Sequence, residues 1–310
     1  MRAAVLTELG LPDAGDFDEP RPGEGQAVLE VAVAGLNPVD VTTAAGTFHG
    51  GPPPLPSVCG KEAVGTLEGR RVYVGAAIAP WGTMAERALV DPAEAIPLPD
   101  GLADEQAVAF GVAGLAGWLA VEWRARLQPG ETVLVLGASG TVGLIAVQAA
   151  KLLGAGRVVA AARSKRGLER ARAAGADAAV ALGAGDDLAA AFRAAAERDI
   201  DVVIDPLWGE PAVAAIAAAG PGARFVQLGQ SAGTHAALPS AAIRGKLLSV
   251  LGLSNFGVPA DVKRAAYERM AAHGAAGELA VDVERVPLAE VRSAFERQRD
   301  SPGVKLVVVP

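Results

Sequence analysis

The chain has 310 residues, 51% apolar and 20% charged, enough core for two domains and too apolar for overall intrinsic disorder. With 28 Lys plus Arg against 35 Asp plus Glu, the formal charge is −7, which argues against nucleic acid as a partner. Cys59 is the single cysteine, so an intrachain disulfide is excluded. The three histidines, His49, His235 and His273, leave too few ligands for a thiolate or imidazole metal cluster.

The opening run Met1-Arg2-Ala3-Ala4-Val5-Leu6 meets Glu8 and then Pro12-Asp13, too short an apolar stretch for a secretory signal. A reducing cytoplasm is the expected setting, with no membrane partner. Up to about Leu98 the signals are short and strand-like: Val28 to Val33, Val64 to Leu67 and Arg71 to Val74, cut by Gly and Pro. Pro20-Arg21-Pro22 and Pro52-Pro53-Pro54 lack ladder donors and belong to connections.

The stretch Ala107 to Val121 is uncharged over 15 residues and bounded by Glu105 and Glu122. A bilayer needs about 20 residues, so a buried helix is expected. Beyond it, strands are expected at Thr132 to Leu136, Arg157 to Ala162, Ala179 to Leu182, Ile200 to Ile204, Arg224 to Leu228 and Leu247 to Leu251. Helices fall between them at Val142 to Leu153, Arg166 to Ala174, Asp187 to Arg198 and Pro211 to Ala219, with Gly154, Gly175 and Gly220 at helix stops. That alternation predicts an α/β, doubly wound parallel sheet of the Rossmann kind. Gly185-Asp186-Asp187 reads as a helix cap. A polar helix over Asp261 to Ala272, a strand at Val281 to Val283, a helix over Leu288 to Arg299 and a strand at Lys305 to Val309 complete the chain. The terminal strand is expected to return to the first domain, giving domains 1–105 with 262–310 and 106–261.

The chemistry is carried by Thr132-Val133-Leu134-Val135-Leu136-Gly137-Ala138-Ser139-Gly140-Thr141-Val142-Gly143, a strand, a glycine turn and a helix start. Glycines 137, 140 and 143 tighten the turn, admit a pyrophosphate and let the helix lie close on the sheet, with the phosphate on the helix N-terminus. The expected cofactor-binding residues are Gly137, Ser139, Gly140, Thr141, Val142 and Gly143, together with Arg163, Ser164 and Lys165 after the second strand, Leu228 and Gly229 after the fifth, and Lys305. No acid ends the second strand, and Arg163 lies 20 residues beyond Gly143. That pattern selects NADPH over NADH. Trp208, after the fourth strand, borders the cofactor or packs the core.

Gly35-Leu36-Asn37-Pro38-Val39-Asp40, Gly60-Lys61-Glu62-Ala63-Val64-Gly65, Gly82-Thr83-Met84-Ala85-Glu86, the turn Gly137 to Gly143 and Gly303-Val304-Lys305-Leu306 resemble the medium-chain dehydrogenase/reductase superfamily, in its zinc-independent quinone oxidoreductase branch. The resemblance is collinear over nearly the whole chain. It implies a chaperonin-10-like, β-rich catalytic domain built from both termini, an inserted Rossmann domain, NADPH in the cleft between them, and a homodimer. The implied reaction is NADPH-dependent hydride transfer to a quinone or α,β-unsaturated carbonyl. Alternatives are a catalytically weak NADPH-binding sensor or scaffold and a biosynthetic double-bond reductase. The motif positions that hold catalytic zinc in zinc-using relatives fall on Asn37, Lys61 and Val112, which cannot replace thiolate and imidazole ligands, so no metal is expected.

Without a metal, donors must face the developing negative charge. The resemblance implies that the Asn of the Asn-Pro-x-Asp motif lines the nicotinamide pocket, which makes Asn37 the first catalytic candidate; the alternative is that Asn37-Pro38 is a turn, and Asp40 is expected to fix its loop. The family's usual Tyr and Thr positions fall on Phe48 and Ala116. Tyr73 in a strand and Tyr267 on a surface-like helix are poor proton donors, which leaves His49 as the second catalytic candidate. Lys61 offers a cation to a substrate anion or pairs with Glu62 or Asp40.

Overall fold

A computed structural model describes residues 1–48, 50–183 and 187–310. The chain divides into two compact units, Met1–Ala113 with Tyr267–Pro310, and Gly114–Ala266. The sequence pattern places the crossings at 105/106 and 261/262. The first observed crossing falls inside one helical run, Asp104–Arg124, and the second inside the helix Ala260–Ala275, so neither coincides with a loop.

The second unit holds a six-stranded parallel sheet in the order Ala178–Ala181, Arg157–Ala162, Thr132–Leu136, Val202–Asp205, Arg224–Gln227, Ser249–Gly252. Strand order reverses between Thr132–Leu136 and Val202–Asp205, which puts the topological switch point at the carboxyl ends of those two strands. Thr132–Leu136 is buried along its whole length, as a continuous apolar run covered on both faces must be. Leu134, Leu136, Phe192, Ile216 and Phe225 form one core cluster, each large side chain contributing roughly 1.5–3 kcal/mol of burial. The crossover helices are Thr141–Leu152, Lys165–Ala173, Leu188–Ala196 and Gly209–Ala218. Asp187 caps the third, its Oδ1 accepting from Ala190 N–H at 2.8 Å; Gly185 and Asp186 lie outside the described residues.

The first unit is built on a mixed sheet. Ala27–Gly35 pairs with Glu62–Leu67, Arg87–Val90 and the terminal Lys305–Val309, and Val283–Pro287 joins the last of these in parallel. A second sheet of three strands contains Arg2–Leu6. The strand expected at 281–283 lies two residues later, because its register is set by pairing Val283 with Lys305 and Pro287 with Val309. Leu6, Leu29, Met84, Phe295 and Leu306 share this unit's core.

One further reading changes in the structure, and one is met. The helix Ala260–Ala275 is not surface-like at Tyr267: Ala266, Tyr267, Met270 and Ala271 are buried, an apolar stripe at helical spacing inside a polar sequence. The uncharged stretch from Ala107 lies within Asp104–Arg124, the one helix among the described residues long and apolar enough to cross a membrane, and 72% of its apolar window is buried.

Candidate functional site

In the first unit, polar side chains converge on one carboxylate. Asn37 Nδ2 donates to Glu62 Oε1 at 2.7 Å, Lys305 Nζ donates to the same oxygen at 2.9 Å, and Tyr73 OH donates to Glu62 Oε2 at 3.1 Å. The Val112 N–H donates to Oε2 as well. Glu62 is fully buried, and Asn37, Tyr73 and Lys305 are 1%, 3% and 3% exposed. Tyr73 stacks on Tyr267 with ring centroids 4.2 Å apart, and burial followed by the Glu62 charge holds the Tyr73 phenol well above its ordinary range.

The local backbone explains the convergence. The strand Ala27–Gly35 ends against Glu62, and a Cβ on Gly35 would overlap the Glu62 carboxylate. Asn37 precedes Pro38 at the first position of the helix Pro38–Ala44, and its N–H donates to Asp40 Oδ2 at 2.8 Å. Asp40 therefore fixes this loop. Burial, then the Glu62 charge, pushes its carboxyl up to about 6, against the Asn37 N–H and the Lys305 and Lys61 charges. Inside Asp104–Arg124, Gly111 takes φ −65° and ψ −117°, which breaks the helical ladder and turns the next N–H, that of Val112, to Glu62.

Asn37 was expected to present its amide to the substrate, and the structure commits that amide elsewhere. Its Oδ1 accepts from Lys305 at 2.6 Å, while Nδ2 donates to Glu62 and, at 3.5 Å, to Gly35 O. A buried amide must be satisfied internally, and this one is. Lys305, expected among the cofactor contacts, has its three ammonium protons on Leu36 O, Asn37 Oδ1 and Glu62 Oε1. Glu62 pairs with Lys305, while the Lys61 ammonium lies 5.1 Å from the Phe48 ring centroid. His49 lies outside the described residues. Burial pushes the Cys59 thiol up to about 12, so it is an inert thiol near neutral pH.

In the second unit the glycine turn has the geometry of an anion cradle. Gly137 takes φ +61°, and Gly140 N–H donates to Gly137 O at 3.1 Å before the helix starting at Thr141. A Cβ on Gly143 would overlap Gly137 O and stand 2.6 Å from Ala138 Cα. Gly167 has no room for a Cβ against the Ser139 side chain, with Ser164 Oγ 2.9 Å away. That contact brings Ser139 of the turn beside the basic run. Ser164 caps its helix by accepting from Gly167 N–H at 3.0 Å, so the hydroxyl keeps its own proton to donate. Arg163, Ser164, Lys165 and Arg166 are all exposed.

The turn Asp205–Gly209 packs on this cradle, since a Cβ on Gly137 would stand 2.9 Å from Leu207 and one on Gly229 would stand 2.5 Å from Pro206 O. Leu228 N–H donates to Asp205 O at 2.9 Å. Trp208 takes φ +60° and ψ −164°, a conformation open in practice to glycine alone. Asp205 Oδ1 holds it by accepting from Leu207 N–H at 2.8 Å and Trp208 N–H at 2.9 Å. Asp205 Oδ2 is buried with no hydrogen-bond partner among the described residues, and burial pushes this carboxyl up to about 6. Trp208 packs edge-on against Phe225 at 6.3 Å.

Sequence reasoning missed Glu62 as a centre and Asp205 as a clamp. Both signals were present: an acid and a lysine at the inward starts of two apolar strands, Glu62-Ala63-Val64 and Lys305-Leu306-Val307, and an acid immediately before Pro206 at a strand's carboxyl end.

Residues 141–272 match the family described as zinc-binding dehydrogenase. The chain is 30% identical over 264 residues to quinone oxidoreductase-like protein 2 of Rattus norvegicus, covering 81% of this chain and 74% of that protein. The chain belongs to the quinone oxidoreductase-like group of the medium-chain dehydrogenase/reductase superfamily. The quinone oxidoreductase of Thermus thermophilus, solved also in complex with NADPH, superposes over 100% of both chains with a TM-score of 0.82 and 32% identity. A phenolphthiocerol/phthiocerol polyketide synthase of Mycobacterium tuberculosis is 34% identical over 248 residues, which is 74% of this chain and 11% of that protein.

Asn37 and Val112 both bond to Glu62, and among the described residues no group of three or more His, Cys, Asp or Glu is arranged to hold a metal ion.

Proposed function

We propose that this quinone oxidoreductase-like chain is an NADPH-dependent, metal-independent reductase acting on a quinone or an α,β-unsaturated carbonyl. The observation that carries the reading is the second unit's cradle joined to an exposed basic run: a glycine turn closed to any Cβ at Gly143, with Ser139 against the Ser164–Gly167 segment. The complex of the Thermus thermophilus relative with NADPH supports the same cofactor.

The residues present fit NADPH. The N–H groups at the start of Thr141–Leu152 and the positive end of that helix suit the pyrophosphate, the hydroxyls of Ser139 and Thr141 add donors, and Arg163, Ser164 and Lys165 suit a ribose 2′-phosphate. Leu228 and Gly229, beside the Asp205–Gly209 turn, border the same edge of the sheet. When bound, NADPH supplies the hydride, and a proton from the protein or solvent completes reduction to a hydroquinone or a saturated carbonyl compound. Asn37 acts in this scheme by shaping the loop Leu36 to Asp40, and Asp40 by fixing its backbone. His49 remains the candidate proton donor from residue type. The chain works in the cytoplasm as a homodimer joined at the exposed edge of Ser249–Gly252.

A second reading, a reductase of one double bond in a biosynthetic pathway, is favoured by the likeness to part of a polyketide synthase. One screen tests both. NADPH oxidation is followed against ortho-quinones, para-quinones, linear enones and thioester-linked enones, with metal content measured on the same sample. Turnover of a quinone or a free enone supports the first reading, turnover confined to thioester enones supports the second, and NADPH binding without any turnover refutes both.

A further inference from the structure

In the second unit, the turn Asp205–Gly209 joins two loops at the carboxyl edge of the sheet. On one side it is seated on the glycine turn: a Cβ on Gly137 would stand 2.9 Å from Leu207 Cδ2 and 3.2 Å from Pro206 Cγ. On the other it holds the loop that follows Arg224–Gln227. Pro206 O accepts from Ser231 Oγ at 3.3 Å and from Ser231 N–H at 3.4 Å, and Leu207 O accepts from Ala232 N–H at 2.8 Å.

The turn does not keep this shape unaided. Trp208 at φ +60° and ψ −164° occupies a region that is costly for any residue with a Cβ. Asp205 Oδ1 offsets that cost by accepting from the Leu207 and Trp208 N–H groups together. The carboxyl is itself an expensive group to bury: Asp205 is 0% exposed, and its Oδ2 has no hydrogen-bond partner among the described residues. A strained residue and a half-satisfied buried acid both work against stability. Strain of this kind persists only where its surroundings over-determine it, and it gathers at sites that hold ligands. Here it lies against Gly137, the first residue of the cradle.

We propose that Asp205 is a positioning residue for NADPH, holding the Pro206–Gly209 turn against Gly137 so that the cradle is formed before the cofactor arrives. The proposal rests on the reading of the glycine turn as the NADPH site. Asp205 need not touch the cofactor. It acts through the Leu207 and Trp208 backbone, and only its Oδ1 is required.

The test titrates NADPH, followed by cofactor fluorescence, into the full chain and three variants: Asp205→Ala, Asp205→Asn, and Asp205→Ala combined with Trp208→Gly. Without the acceptor, Trp208 relaxes out of its strained conformation; if the competent turn falls to about a tenth of the population, the apparent dissociation constant rises ~10-fold. Asp205→Asn keeps an oxygen for both N–H groups and is expected to bind within about threefold of the unmutated protein. In the double variant glycine has no reason to leave the turn conformation, so affinity is expected to return to within about threefold of the unmutated protein. That recovery comes although Trp208→Gly gives up the packing on Phe225, whereas a role in stability alone makes affinity follow the denaturation midpoint through the series. Should Asp205→Ala fail to fold, Asp205→Ser, whose hydroxyl makes the same turn bond more weakly, takes its place alone and with Trp208→Gly. A folded Asp205→Ala or Asp205→Ser that binds within about twofold of the unmutated protein overturns the positioning role. So does a double variant that binds no better than the single one, or an Asn variant as weak as the Ala variant. An unmutated protein that does not bind NADPH overturns the reading of the cradle, and the positioning role with it.

Discussion

Lys305 Nζ rests 2.9 Å from Glu62 Oε1 across 243 residues of sequence. The contact gives a chemical reason for the terminal strand to return to the first unit, where Val307 and Val308 pair with Gly35 and Ala34. A lysine at the inward start of an apolar strand needs a buried anion, and the Glu62–Leu67 strand supplies it.

Removal of metal should leave activity intact. Asn37 and Val112 are bonded to Glu62, and Lys61 offers an ammonium that repels a cation. After exhaustive chelation, turnover of the best substrate is expected to equal that of the untreated protein, with zinc far below one equivalent by elemental analysis. Stoichiometric zinc lost together with activity sinks the assignment.

Gly143→Ala should damage both fold and cofactor binding. The added methyl group meets Gly137 O and Ala138 Cα, the latter at 2.6 Å, and these are backbone atoms of a tight turn that cannot swing aside. Overpacking of this kind costs typically ~1–3 kcal/mol. A lower denaturation midpoint with weaker NADPH binding is the expected result, and a variant equal to the parent in both shows that the turn can open at no cost.

Much of this was legible in the sequence, and for identifiable reasons. Thr132–Leu136 and Arg157–Ala162 were legible because a central parallel strand is buried on both faces, so the residues after Thr132 and Arg157 form continuous apolar runs. The turn was legible because the positive φ at Gly137 and the lack of room for a Cβ at Gly143 favour glycine at both positions. The partners of Asn37 were not legible because a single polar residue in a motif does not disclose them: Glu62 and Lys305 stand 25 and 268 residues away from it. Tyr267 was misread because its helix is polar in composition, and only the packing of Tyr267 on Tyr73 reveals which of its faces is covered.

Asp205 gives the protein a pH-dependent stability of defined sign. Burial raises this carboxyl from 3.8 to about 6, so between those values the folded chain keeps a proton that the unfolded chain has lost. That contribution is fully present below pH ~4 and declines as pH rises through ~6, by at most ~3 kcal/mol. Asp205→Asn retains an oxygen for the Leu207 and Trp208 N–H groups and removes the titration. Chemical denaturation at several pH values between 4 and 6 is expected to show a steeper fall for the unmutated protein than for the variant. Parallel curves show that the carboxyl titrates normally.

The edge of Ser249–Gly252 is expected to join two copies. Among the described residues this strand pairs only with Arg224–Gln227, and Leu247 and Val250 beside and on it are 80% and 40% exposed. An open edge with apolar residues invites pairing with another strand. Sedimentation at micromolar concentration should show a dimer, and Leu247→Glu with Val250→Lys should convert it to a monomer that still binds NADPH. A monomeric unmutated protein refutes the interface.

Cofactor choice should be decided at the end of Arg157–Ala162. An NAD-selective fold carries an acid there to accept from the ribose 2′-hydroxyl, and that charge repels a 2′-phosphate. Here the strand runs into Arg163-Ser164-Lys165-Arg166, all four exposed, and the contact between Ser139 and Gly167 brings this segment against the glycine turn. Ser164 is partly committed as a helix cap, so discrimination falls chiefly to Arg163, whose guanidinium can meet a phosphate with two parallel N–H groups, and to Lys165 as a mobile charge. A charge-assisted hydrogen bond contributes roughly 1.5–3 kcal/mol, and about 1.4 kcal/mol is tenfold in affinity. One such contact therefore suffices for more than tenfold preference for NADPH over NADH. Arg163→Glu places a carboxylate where the phosphate should sit and is expected to erase or invert that preference with little change in thermal stability, because the side chain is exposed. Titration of cofactor fluorescence with both nucleotides measures the ratio directly, and equal affinities in the unmutated protein mean that the basic run does not contact the ribose.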